Sequence, residues 1–128
     1  MKISARLKTL ALGTALAAGL ISGATGAQAA EKFKIFLSMS FIGNDWQAEA
    51  ANMVKAMAAH KSLADKVDLQ VQVAGPNAQR QIQQINAMVQ AGAQAIVIFP
   101  ISPTALNQVV KNACDKGVKV FAYDGEIT

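Results

Sequence analysis

From residue 33 onward the chain alternates between two hydrophobic spacings. Short apolar runs of strand length are followed by stretches in which apolar positions recur every three or four residues. Phe33 to Met39 (FKIFLSM) is the first run. Asn44 or Asp45 can cap a predicted helix with apolar positions at Ala50, Val54, Met57 and Ala58. Val67, Leu69, Val71 and Val73 alternate with polar neighbours, among them Gln70 and Gln72, which predicts a second strand in an edge-like position. Gly75-Pro76-Asn77 punctuates the chain, and Asn77 can cap the next helix. Ile82, Ile85, Met88 and Val89 form its stripe, and Gly92 suits a left-handed cap at its end. Ala95 to Phe99 is a continuous apolar run, the pattern of a strand buried on both faces. Ser102 before Pro103 predicts an N-cap with proline at the first helical position. Leu106, Val109, Val110 and Ala113 form the stripe of that third helix, Gly117 closes it, and Val118 to Tyr123 is a fourth strand.

Four strands separated by three helices over short connections predict an α/β fold. It is a parallel β-sheet with right-handed crossovers and helices on both faces, a flavodoxin-like or Rossmann-like lobe. In the strand order 2-1-3-4, the first crossover steps one way along the sheet and the other two step the opposite way. The first helix then lies alone on one face, while the other two cover the opposite face. A parallel sheet needs both faces covered, and here one face is short of a helix. The chain also stops at Thr128, just after a strand. The expectation is therefore an incomplete first lobe of a longer protein.

Composition adds compartment and excludes some functions. At 52% hydrophobic and 16% charged residues, the chain is neither disordered nor fibrous. Lys2, Arg6 and Lys8 precede an uncharged run rich in Leu, Ala and Gly, and Ala27-Gln28-Ala29 offers small residues where a signal peptidase cuts. That order of parts predicts a cleaved export signal over residues 1–29, a domain over 30–128, and a periplasmic location. Twelve basic residues, less these three, stand against eight acidic ones, so the body carries a net charge of +1 and lacks the basic footprint of a nucleic-acid binder. Cys114 is the single cysteine, so no internal disulfide and no lipid-anchored cysteine at the cleavage point are expected.

No glycine-rich phosphate loop follows the first strand. His60 is the only histidine and reads as a cation near a helix end; Cys114 reads as a buried, inert thiol. Gln79, Gln81, Gln83 and Gln84 read as the solvated face of the second helix. No metal or other cofactor is called for, and no enzyme chemistry has support. What remains is placement, because ligands of open parallel sheets bind outside the carboxyl ends of the strands. Ser40 to Trp46, Pro100 to Thr104 and Asp124 to Thr128 converge there. Candidate ligand-binding residues are Ser40, Asn44, Asp45, Trp46 and Asp124. Carboxylates and amides bind vicinal hydroxyls, and an aromatic ring covers the apolar face of a sugar. Each also has an ordinary structural reading: Asn44 or Asp45 as a helix cap, Trp46 as packing over the sheet edge, and Asp124-Gly125 as a turn.

These residues, with the leader, the Asn-Asp-Trp loop, the segment Ala95 to Pro103 and the segment Val118 to Asp124, resemble the ribose-type periplasmic sugar-binding proteins, substrate-binding components of ABC importers. The likeness runs over Phe33 to Thr128. It implies two similar lobes closing on one sugar or polyol, delivery to a membrane permease, and a monomer at full length. It also implies that Trp46 stacks on the solute, with Asn44 and Asp45 as polar neighbours, and that Asp124 bonds its hydroxyls. Ribose binders commonly carry an arginine after that aspartate, where this chain has Gly125. They also tend to pair two aromatics in the first loop, where this chain has Asp45 before Trp46. The ligand therefore stays open among pentoses, hexoses, polyols and cyclitols. Three other readings share the architecture: an exported sugar or autoinducer sensor feeding a chemoreceptor or kinase, a Lac-repressor-type regulator, and a Rossmann-like enzyme. A repressor would begin with a helix-turn-helix headpiece, and an enzyme would need the missing phosphate loop.

Overall fold

The computed structural model describes residues 30–128. The segment read as an export signal, residues 1–29, lies outside the described residues. Strands β1 (Phe33–Met39), β2 (Val67–Val73), β3 (Ala95–Phe99) and β4 (Lys119–Ala122) alternate with helices α1 (Asp45–Ala59), α2 (Ala78–Gln90) and α3 (Asn107–Asp115). All pairings are parallel, so the predicted α/β sheet holds, and the strand order is β2-β1-β3-β4, the one supposed above.

The strand register divides the core into two unequal parts, because successive side chains point to opposite faces. On one face Phe36 of β1 joins Ile96 and Ile98 of β3. With Ile85 and Met88 of α2 and Leu106, Val109 and Ala113 of α3 they form one cluster, all of them buried. On the other face Leu37 and Met39 pack under α1 with Ala51, flanked by Val54, Leu69, Val71, Val97, Phe99 and Tyr123. Each large apolar side chain taken out of water contributes about 1.5–3 kcal/mol, so the two-helix side carries most of the stability. The asymmetry follows from right-handed crossovers, as the sequence predicted.

Several local expectations change. The β3 strand is not buried on both faces: Ile96 and Ile98 are sealed, but Val97 and Phe99 are half-buried, since α1 covers only part of their side. On α1 the buried residues are Gln47 and Ala51, while Met57 is 60% exposed. Of the predicted stripe, Ala50, Val54 and Ala58 are half-buried, with Val54 packed against the core, and only Met57 is exposed. The third helix begins at Asn107, and Ser102 instead closes the preceding turn, its Oγ accepting from the backbone N–H of Ala105 at 3.2 Å. Cys114 is exposed on the outer side of α3, not buried. Gly92 and Gly117 do adopt positive φ, 84° and 86°, where a β-carbon would be strained. Among the described residues no helix is long and apolar enough to cross a membrane.

Candidate functional site

Four parallel strands send their carboxyl ends to one rim, and hydrogen bonds carry the register past the strand ends. Ser40 N–H donates to Phe99 O (3.0 Å), Ala74 N–H to Met39 O (2.9 Å) and Tyr123 N–H to Ile98 O (3.0 Å). The loops after β1, β3 and β4 therefore start side by side. Tyr123 reaches back across the rim: its ring lies 5.7 Å from that of Phe99, and its hydroxyl donates to Met39 Sδ. Burial, and next the negative charge of Asp124, raise the Tyr123 pKa, so its hydroxyl stays protonated and able to donate.

The loop after β1 turns into α1 through a reciprocal cap. Asn44 Oδ1 accepts from the Gln47 backbone N–H (2.9 Å), and Gln47 Oε1 accepts from the Gly43 N–H (2.8 Å). Asn44, not Asp45, is the cap. Its oxygen is thereby committed to the cap, which leaves the amide NH2 as the side chain's donor group. Asp45 sits exposed in the first helical turn, where the helix dipole favours a carboxylate. Trp46 is 53% exposed beside it. Ser40 is almost wholly buried and lines the base of the loop.

Asp124 is exposed on the exit loop of β4 and has φ +54°, the one positive-φ residue other than glycine among those described. Such a conformation costs a non-glycine residue of order 1 kcal/mol and concentrates at functional positions. Gly125 after it lies against Pro100; a β-carbon there would meet Pro100 Cγ at 2.8 Å. The tail continues to Thr128, whose N–H donates to Pro103 O at 3.0 Å. The rim is thus an open shelf carrying Asp45, Trp46 and Asp124. Concavities lie elsewhere, one of about 450 Å³ at the opposite rim between Phe33 and Lys119, and one of about 200 Å³ lined by Val54, Met57, Leu69 and Val97. Among the described residues no cluster of His, Cys, Asp and Glu could hold a metal ion.

One rim residue escaped the sequence reading. Gln81 was expected on a solvated face but is fully buried. Its Nε2 donates to Phe99 O (3.0 Å) and Ser38 Oγ (3.2 Å), and its Oε1 accepts from the Ile101 N–H (3.0 Å). Gln84 also turns inward, donating to Val73 O at 3.3 Å. A helical-stripe reading passes over both, since it counts polar residues as outward. The available signal was position 81 itself, one residue before Ile82 and four before Ile85, on the inward side of the helix.

Comparison with known proteins agrees with this architecture. The family model described as periplasmic binding protein domain matches residues 35–128. The D-xylose-binding periplasmic protein of Escherichia coli is 39% identical over 79 residues, covering 62% of this chain and 22% of that protein. The multiple sugar-binding periplasmic receptor ChvE of Rhizobium radiobacter is 30% identical over 116 residues, 90% of this chain and 31% of that one. The crystal structure of an ABC transporter solute binding protein from Burkholderia multivorans superposes with a TM-score of 0.71 at 29% identity, over 77% of this chain and 35% of that chain. The chain thus spans about a fifth to a third of the length of the curated relatives it matches. With the family model covering nearly all the described residues and the same parallel-sheet lobe in a solved relative, the chain belongs to the periplasmic binding protein domain family.

Proposed function

We propose that the chain supplies most of the first lobe of a periplasmic solute-binding protein. In this reading it holds a sugar or sugar-like polyol at the C-terminal rim of its sheet and delivers it to the membrane permease of an ABC importer. One observation carries the reading: the exit loops of β1 and β4 leave the same rim on either side of the exit of β3, and they present an exposed indole, two carboxylates and an amide. Trp46 is the stacking surface, Asp45 and Asp124 accept from solute hydroxyls, Asn44 donates through its amide, and Ser40 shapes the base of the shelf. Hydrogen bonds to charged groups contribute about 1.5–3 kcal/mol each, so a few of them with a stacked ring suffice for useful affinity. These groups bind without making or breaking bonds, and the reading includes no reaction. The kinship with proteins named for D-xylose and for multiple sugars supports a monosaccharide as the solute.

Trp46 is the one tryptophan of these 128 residues, so the part of the fluorescence that Trp46→Phe removes reports on the site. Titration with D-xylose, D-ribose, D-allose and myo-inositol should give a saturable change with at least one of them, in the protein that carries this lobe. A flat response to all four, with no thermal shift, would overturn the reading. A second reading, an exported sugar sensor, is favoured by the receptor that matches 90% of the chain. Capture of a chemoreceptor or kinase in place of a permease, by the sugar-loaded protein, would select it.

A further inference from the structure

We propose that Gln81 is a positioning residue for the solute shelf: its buried side-chain amide sets the loop after β3, and through that loop the segment bearing Asp124. The inference rests on the reading of this rim as the solute site. An amide in an apolar cluster destabilises the fold unless its hydrogen bonds are satisfied. Gln81 meets that demand by joining three segments, with both Nε2 protons and Oε1 in use. Phe99 O serves twice, accepting from Gln81 Nε2 and from the Ser40 N–H, so the exits of β1 and β3 are tied through one carbonyl. The Ile101 N–H held by Gln81 lies between Pro100, against which Gly125 packs, and Pro103, whose carbonyl accepts from the Thr128 N–H and from Thr128 Oγ1. Asp124 precedes Gly125, so its placement depends on that loop. A methionine would fill the same space in the core. What the amide adds is direction: it gives the loop after β3 one orientation relative to β1.

The test compares Gln81→Met, Gln81→Glu and a control, Ile85→Val, in the full chain, by amide hydrogen exchange, NMR and D-xylose titration. Gln81→Met should raise exchange at Ile101 at least tenfold relative to Ile96 and shift the amide resonances of Asp124 and Gly125. Any D-xylose affinity should fall at least fivefold. Gln81→Glu keeps an acceptor for Ile101 but can donate to Phe99 O only through a protonated carboxyl, so protection of that amide should return at acidic pH and be lost as the carboxyl ionises. Ile85→Val should lower the melting temperature without singling out Ile101 or Asp124. Unchanged Ile101 exchange in Gln81→Met, or the same pattern in Ile85→Val, would overturn the proposal. If the unsubstituted protein ignores every sugar, the solute reading fails by itself, and the exchange and resonance data still decide whether Gln81 positions the loop.

Discussion

Replacing Asp124 by glycine should move stability and solute affinity in opposite directions. Asp124 holds φ +54°, in the left-handed region. That conformation costs an L-residue about 1–2 kcal/mol, towards the lower figure for aspartate. Glycine removes the penalty, and its extra freedom in the unfolded chain takes back about 0.5–1 kcal/mol. The fold should therefore gain between nothing and about 1 kcal/mol, a rise of at most ~8 °C in Tm for a domain of this size. The same change deletes a carboxylate that, in the proposed site, accepts from solute hydroxyls. Losing one charged hydrogen bond of about 1.5–3 kcal/mol weakens binding at least tenfold. Asp124→Asn separates the two effects, because asparagine tolerates the left-handed region but carries no charge. It should leave Tm within a degree or two and still reduce affinity. Thermal melts paired with calorimetric titration of the preferred sugar read both quantities. A glycine variant that is destabilised by more than 1 kcal/mol would refute the strain argument, and unchanged affinity in both variants would refute the role of the carboxylate.

Three further outcomes are expected. Trp46→Ala should weaken sugar binding at least tenfold, about 1.4 kcal/mol, while Trp46→Phe stays within about threefold because a ring remains; equal losses in calorimetry would remove the stacking role. Ile96→Ala, at a fully buried position between helices and sheet, should cost about 2–5 kcal/mol in urea unfolding. Val97→Ala on the thinly covered face should cost less than half of that, and equal costs would contradict the unequal division of the core. Tyr123 has its pKa raised above the ordinary value of 10.0 by burial first and by Asp124 second. Its contribution to stability is complete below pH 10 and is lost as pH rises through the higher folded-state value, since the unfolded chain releases the proton first. Melting temperatures between pH 9 and 11 should decline less steeply in Tyr123→Phe; an identical slope would exclude this group as the cause.

The site was partly legible in the residues. Asn44 was one of two candidate caps, and the deciding feature, Gln47 three positions on, is a capping-box pattern readable in the sequence. Asp124 could be named from its place after an apolar strand, but its left-handed backbone could not. Gln81 was misassigned because a polar residue on an amphipathic helix counts as outward unless something inside needs its hydrogen bonds. The groups that need them, Phe99 O, Ser38 Oγ and the Ile101 N–H, come from segments 18 to 43 residues away in sequence.

Hydrophobic spacing by itself determined the seven elements and their α/β order; which helix stands alone on its face followed from crossover handedness only once the strand order 2-1-3-4 was supposed. These properties depend on local periodicity and on a chirality that every L-chain shares. Tertiary structure alone decided how far each face is sealed, where α3 begins, that Cys114 faces outward, and that Gln81 points inward. Each of those is settled by what lies across the gap from a side chain, and a linear pattern contains no neighbour from the far side of the sheet.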